Sequence, residues 1–130
     1  MTNRLRLLST HDFFGSLAPV PTSYGSLSGG EGLRATIEQL RSDTASLWID
    51  TGDAVQGGPL TPLTRGRGGY AAIAELGIDA AVVGNHELDF GIECFNRDAA
   101  QLGFPVLGAN AGFGPRSRPA CAARPRRATR

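Results

Sequence analysis

The chain has 130 residues, of which 41% are hydrophobic and 19% are charged, and its formal net charge is +1. This composition is typical of one soluble globular domain with a modest core and excludes an intrinsically disordered chain. No apolar run approaches the ~20 residues of a membrane helix, and Met1–Ser9 has too few apolar residues for an export signal, so we expect a cytoplasmic protein without membrane contact.

Charge is distributed unevenly along the chain. Residues 1–110 hold 7 Arg and all 12 acidic residues, whereas residues 111–130 hold 6 Arg and no acid. The second segment has almost nothing to bury, so we predict a folded unit over 1–110 and an Arg/Pro-rich disordered tail over 111–130. An alternative function for this tail is an arm that binds nucleic acid. That alternative is disfavoured, because Phe113 is the tail's only aromatic residue and no recognisable binding module is present.

The first half of the folded unit predicts a strand, a long loop, a helix and a second strand. Apolar residues favour a strand over Arg4–Ser9. The stretch Gly15–Gly30 is rich in Gly, Ser and Pro, and a loop of that length is typical of functional or mobile segments. Apolar residues at helical spacing predict a helix over Glu31–Arg41, and Ser46–Asp50 has the pattern of a short buried strand.

The second half repeats the alternation of helices and strands. Gly and Pro punctuate residues 56–69, which are predicted to be irregular. Gly77 is expected to end the next helix in a left-handed conformation. The predicted elements are a helix over Gly69–Leu76, a strand over Asp79–Val83, a helix from Phe90 or Gly91 to Leu102, and a strand over Phe104–Leu107.

This order predicts an α/β fold with a mainly parallel sheet, because strand–helix–strand units connect parallel strands by right-handed crossovers. In such sheets, the loops at the carboxyl ends of the strands form the ligand crevice. Asp12, Asp53, Asn85 and His86 all lie on loops of this kind. We therefore expect these four residues to meet in space.

The loop Gly84–Asp89 combines an amide, an imidazole and two carboxylates, a mixture typical of the surroundings of a divalent ion. His86 could act as a general acid, and Asp89 could accept a hydrogen bond from its ring and raise its pKa. The structural alternatives are that His86 is a surface histidine that caps a helix, and that Asp53 belongs to an ordinary Gly-Asp turn.

Six segments carry a family resemblance when taken in chain order: Ser9–Asp12, Gly30–Ala35, Gly52–Leu60, Leu76–Ala80, Val83–Gly91 and Phe104–Asn110. Together they resemble the opening of the 5′-nucleotidase branch of the calcineurin-like metallophosphoesterases. The resemblance spans roughly residues 5–110 and implies a partial metallophosphoesterase fold.

The resemblance implies hydrolysis of a nucleotide or related phosphomonoester at a pair of divalent ions (Zn, Mn, Fe, Co or Mg), which activate a bridging water. In that scheme, Asp12 ligates the first metal, Asp53 bridges both metals and Asn85 ligates the second. His86, oriented by Asp89, stabilises the phosphoryl group and protonates the leaving group. The sequence does not indicate an oligomeric state.

Two departures from the family pattern weaken the implied metal site. The family has Asp-x-His near its start, but here Phe14 stands at the position of the histidine ligand. His11 is not expected to replace it, because adjacent residues on an extended segment point to opposite sides. The histidines that the family supplies from a later part of the domain are also absent. We therefore expect a truncated, impaired enzyme, with a non-catalytic fragment of the fold as the alternative.

Overall fold

The computed structural model describes residues 4–109. The predicted tail, and with it the nucleic-acid alternative, lies outside these residues. The described part is an α/β unit built on a four-stranded sheet. Its elements are β1 (Arg6–Thr10), β2 (Val20–Thr22), β3 (Gly25–Leu27), α1 (Gly29–Arg41), β4 (Ser46–Asp50), α2 (Leu60–Thr64), α3 (Arg67–Glu75), β5 (Ala80–Val82), a 3-10 turn (His86–Leu88), α4 (Ile92–Ala99) and β6 (Val106–Leu107).

The main sheet is wholly parallel, as the alternation of strands and helices predicts. Its strand order is β1-β4-β5-β6, which is also the order of these strands along the chain. Leu7 pairs with Leu47, Ile49 with Ala80, and Val82 with Leu107. Each connection moves one strand in the same direction, so right-handed crossovers place their helices on the same face of the sheet.

The hydrophobic core lies between that face and the helices. Trp48, Ala81 and Val106 are buried on the strands, and they cluster with Ile37 of α1 and Ile73 of α3. Trp48 and Ile73 are each 1% exposed. The core therefore fixes the sheet against the helices and leaves the carboxyl ends of the strands free to carry loops.

Two segments that were predicted to lack regular structure contain short elements. Residues 15–30 include the antiparallel hairpin β2–β3, closed by a hydrogen bond from the Thr22 hydroxyl to the carbonyl of Gly25 at 2.7 Å. Residues 56–69 include α2, which tolerates Pro62 because the first turn of a helix needs no intrahelical N–H donors. Both elements are too short for periodicity to identify them.

The remaining helix predictions differ from the structure mainly at their ends. Helix α3 begins at Arg67 rather than Gly69, and α4 ends at Ala99 rather than Leu102. Gly77 follows α3 with φ at +87°, which is the left-handed conformation expected of it. No helix in the described range is long and apolar enough to cross a membrane.

Candidate functional site

Three loops meet at the carboxyl edge of the sheet, and they follow β1, β4 and β5. The first loop runs along the second through backbone hydrogen bonds. The N–H of Asp12 donates to the carbonyl of Gly52 at 3.1 Å, and the N–H of Phe14 donates to the carbonyl of Asp53 at 3.2 Å. The loops that carry Asp12 and Asp53 are therefore held side by side.

Glycines allow the second and third loops to approach each other closely. A Cβ added at Gly84 would lie 2.2 Å from the Asp53 Oδ1 atom and 2.6 Å from the Asp53 backbone nitrogen. A Cβ added at Gly52 would lie 2.8 Å from the Cα of Gly84, and Gly52 also has φ at +116°. Only glycine fits at these two positions without displacing the loops.

The buried side chain of Glu87 connects the same two loops through hydrogen bonds. Its carboxylate accepts hydrogen bonds from the backbone N–H groups of Asp53 at 3.0 Å, Ala54 at 3.0 Å and Gly84 at 2.6 Å. The side chain is buried, and burial raises the pKa of its carboxyl group while the three N–H donors act in the opposite direction. This role of Glu87 could not be predicted from the sequence, because nothing in the pattern distinguishes Glu87 from the neighbouring acids.

Asp53 is positioned by its own backbone and by the third loop. It adopts φ at +60°, which is uncommon for a residue other than glycine. Its Oδ1 atom accepts the backbone N–H of His86 at 2.9 Å. The structure thus places the Asp53 carboxylate directly beside the residue predicted to be the general acid.

The imidazole of His86 is held by Asp89, as the sequence suggested. The His86 Nδ1 and Asp89 Oδ2 atoms are 2.8 Å apart, and this hydrogen bond raises the pKa of His86. The side-chain amide of Gln56 donates to the same Asp89 oxygen at 2.6 Å. Gln56 is a further residue that sequence analysis missed, since an isolated Gln in a Gly-rich stretch gives no distinct signal. The ring of His86 therefore bonds to a carboxylate and does not cap a helix.

A second buried carboxylate, Asp50, lies at the end of β4 beneath the loops. The indole N–H of Trp48 donates to the Thr10 hydroxyl at 3.0 Å, and that hydroxyl donates to Asp50 Oδ2 at 2.7 Å. Asp50 Oδ1 accepts the N–H of Gly52 at 3.0 Å. Asp50 is 0% exposed, and burial raises its pKa. This chain of hydrogen bonds joins the core to the turn that carries Asp53.

Asp12 and Asn85 both lie on the exposed side of the edge. Asn85 precedes the 3-10 turn and makes no capping hydrogen bond through its side chain. Asp12 has φ at +49°, so the segment turns here instead of staying extended. The geometric reason for excluding His11 as a replacement ligand is therefore wrong, whereas the expectation that His11 does not replace the ligand missing at Phe14 stays a prediction. The His11 Nδ1 atom lies 3.3 Å from the Asp12 Oδ2 atom.

Known proteins resemble this chain in sequence and in fold. The 5′-nucleotidase of Vibrio cholerae is 30% identical over 114 residues, which cover 84% of this chain and 20% of that protein. The structure of Haemophilus influenzae NAD nucleotidase superposes with a TM-score of 0.72 and 28% identity, over 82% of this chain and 20% of the other. This chain corresponds to the N-terminal part of proteins in the 5′-nucleotidase-like branch of the metallophosphoesterases.

The calcineurin-like phosphoesterase YfkN of Bacillus subtilis has the same fold, with a TM-score of 0.55 and 20% identity over 79% of this chain. No family model matches the chain. The chain spans about one fifth of the length of the Vibrio cholerae and Haemophilus influenzae proteins and 36% of the YfkN chain. The predicted metallophosphoesterase identity is therefore confirmed for the part of the fold that this chain contains.

Phe14 departs from the metallophosphoesterase pattern at the centre of the site. Its ring meets the ring of His86 edge to face, with centroids 5.7 Å apart and an interplanar angle of 73°. Its φ is +49°, and a Cβ added at Gly57 would lie 2.6 Å from its carbonyl oxygen. Phe14 is thus fixed next to His86 and Asp53, where its apolar ring offers no donor to a metal.

The described residues do not fit a two-metal centre by themselves. The candidate donors are Asp12, Asp53 and Asn85, whereas catalytic sites normally have about three protein ligands for each ion. Within residues 4–109, no three His, Cys, Asp or Glu side chains are grouped so that they could hold a metal ion. The carboxyl edge of the sheet supplies only some of the ligand atoms that two metal ions need, and further donors are needed to complete such a site.

Proposed function

We propose that this chain is the N-terminal portion of a metal-dependent phosphoesterase that hydrolyses nucleotide-like phosphomonoesters, and that it is impaired on its own. The observation that carries the proposal is the contact between the loops after β4 and β5. In this contact, Asp53 accepts the N–H of His86 while Asp89 holds the imidazole. The names of the relatives, 5′-nucleotidase and NAD nucleotidase, support a nucleotide-like substrate.

In this proposal, His86 supplies the proton for the leaving oxygen. Because Nδ1 faces the Asp89 carboxylate, the other ring nitrogen, Nε2, is the one available to a substrate. The raised pKa keeps the ring protonated to higher pH than an isolated histidine, which suits a general acid. Gln56 supports this orientation through its own hydrogen bond to Asp89 and acts as a positioning residue.

Asp12, Asp53 and Asn85 would contribute oxygen donors toward the metal ions. In phosphoesterases, such ions clamp the phosphate and activate the attacking water. The shortage of donors and the presence of Phe14 are the reasons for proposing that activity is low. The alternative, a fragment without activity, predicts no turnover under any metal condition.

Phosphate release from AMP, with added Mn²⁺ or Zn²⁺, tests the proposed reaction. We expect slow turnover by the wild-type chain and a loss of about 100-fold or more for His86→Ala, because removing a general acid typically costs that much. Tyr24→Ala is the control, since Tyr24 is 100% exposed on the β2–β3 hairpin. Equal activity of His86→Ala and wild type would contradict the assignment of His86, and no turnover by any variant would favour the non-catalytic alternative.

Metal content of Phe14→His tests the proposed cause of the impairment. An imidazole at this position would stand beside Asp53 and add a nitrogen donor, so we expect more bound Mn²⁺ or Zn²⁺ by elemental analysis than in the wild type. Tyr24→His adds a histidine away from the site and is the matched control. If both variants bind the same amount of metal as the wild type, position 14 is not part of the metal site.

A further inference from the structure

A cavity of about 300 Å³ lies between the loop after β1 and the helices α2 and α3. Its lining includes Phe14 and Leu17 of the loop, Val20 of β2, Leu60 of α2 and Ala72 of α3. Leu17, Val20 and Leu60 are between 38% and 50% exposed, so the cavity is open to solvent and a ligand can enter it. Its volume suits a small molecule, because ligand pockets begin at about 300 Å³ and a cavity of about 150 Å³ holds benzene.

The lining of the cavity favours an uncharged aromatic group. Within residues 4–109, no charged side chain lines it, and its polar side chains are those of Ser16 and Thr61. The Thr61 hydroxyl already donates to the carbonyl of Gly57. An ion would lose its hydration here without gaining a charged partner, so the phosphate of a substrate does not belong in this cavity. The ring of Phe14 instead offers a surface on which another ring can stack offset or edge to face.

Backbone hydrogen bonds hold the wall that carries Phe14 in place. The N–H of Gly15 donates to the carbonyl of Ala54 at 3.2 Å, next to the hydrogen bond between Phe14 and Asp53. The N–H of Leu17 donates to the carbonyl of Gly15 at 2.8 Å. A ligand therefore meets a wall that is already ordered, which reduces the entropy cost of binding.

Two residues belong both to the cavity and to the surroundings of His86. Phe14 lines the cavity, and its ring lies edge to face with the ring of His86, with the centroids 5.7 Å apart. Gly57 also lines the cavity, and its N–H donates to the Oε1 atom of Gln56 at 3.0 Å. The amide of Gln56 in turn holds Asp89, the partner of the His86 ring. The cavity thus begins directly beside the proposed general acid.

The chemistry of ester hydrolysis determines which part of a substrate lies on this side. Water forms a new bond to phosphorus, the bond between phosphorus and the ester oxygen breaks, and that oxygen takes the proton from His86 and leaves as an alcohol. The alcohol portion must therefore lie at the His86 ring, which Phe14 flanks. On the basis of the function proposed above, we propose that the cavity binds an uncharged aromatic ring carried by this alcohol, such as a phenyl group or a nucleobase.

Titration of the full chain with phenol, adenosine and glycerol tests the proposal without metal or turnover. Phenol and adenosine carry an uncharged ring, whereas glycerol is an alcohol without one. We expect at least one ring compound to bind with a dissociation constant on the order of 1 mM and to shift the NMR signals of the Gly57 and Gly58 amides. Glycerol should leave these signals unchanged. The ring compound that binds more tightly distinguishes a simple aryl group from a nucleobase.

Ala72→Phe should weaken ring binding by about tenfold or more, because the larger side chain would occupy the cavity. Ala71→Phe is the matched control, since Ala71 is the neighbouring residue on α3 but is exposed and does not line the cavity. Circular dichroism establishes that both variants are folded. If Ala72→Phe does not fold, Leu60→Glu places a charge at the rim and should also weaken binding. Its control is Leu63→Glu, on the same helix but outside the lining.

Three results would overturn the cavity proposal: no binding of either ring compound, equal binding of glycerol, or equal loss of binding in a cavity variant and its control. Ring binding without phosphate release in the AMP assay would contradict the proposed reaction alone. Phosphate release without ring binding would contradict the cavity proposal alone. The two proposals can therefore fail independently.

Discussion

Two neighbouring acids in one loop, Glu87 and Asp89, take opposite roles because the 3-10 turn points them in different directions. Glu87 is 4% exposed and binds backbone N–H groups, whereas Asp89 stays near the surface and holds His86. The contact between Asp89 and the ring of His86 could be predicted from the sequence, because the spacing of these two residues matches one turn. The contacts of Glu87 could not be predicted in this way, because its partners Asp53 and Ala54 lie more than 30 residues away and only the folded chain brings them close.

Glu87→Gln should destabilise the chain. Glutamine keeps one acceptor oxygen but directs an NH₂ group toward backbone N–H donors, so at least one buried N–H loses its partner, at a cost of about 1–3 kcal/mol. Urea unfolding measures this loss. Glu93→Gln is the control, because Glu93 is exposed on α4. Equal stability of the two variants would show that the hydrogen bonds of Glu87 do not hold the loops together.

At the scale of elements, the parallel strands and the long helices could be predicted, because each follows a clear apolar period. The hairpin β2–β3 could not, since its strands are three residues each and fully exposed. The convergence of the loops after β1, β4 and β5 follows from the parallel topology. The close contact between the β4 and β5 loops cannot be predicted from the topology, because it depends on how near Gly52 and Gly84 come to each other across the sheet edge.

Gly84→Ala tests that contact between elements. The added methyl group would overlap the Asp53 backbone and carboxylate, so the β4 and β5 loops must separate, and we expect a loss of about 1–3 kcal/mol in the free energy of unfolding. Gly103→Ala is the matched control, because nothing lies within 4 Å of its added Cβ. Thermal and urea denaturation report both changes. A Gly84→Ala chain as stable as Gly103→Ala would mean that the loops lie farther apart than described.

At the scale of the whole molecule, the buried carboxyl of Asp50 couples stability to pH. Its pKa is raised by burial in the folded state, and it is ordinary, about 3.9, in the unfolded chain. The folded chain therefore binds the proton more tightly. The resulting stabilisation is fully present below the unfolded pKa and is lost as pH rises through the folded pKa. Stability contributed by Asp50 should thus decline from about pH 4 upward.

Asp50→Asn should remove this decline, because the amide keeps an acceptor for the Gly52 N–H and carries no charge to bury. Between pH 4 and 8, Asp50→Asn should gain stability relative to the wild type until pH passes the folded pKa of Asp50, above which the difference should level off. Asp43→Asn is a reference without this decline, because Arg6 lowers the pKa of the exposed Asp43, so its contribution is lost only as pH falls below about 4 and its difference from the wild type should stay constant above that pH. Urea unfolding at each pH measures both differences. A constant difference between Asp50→Asn and the wild type across this range would show that Asp50 has the same pKa in the folded and unfolded chain.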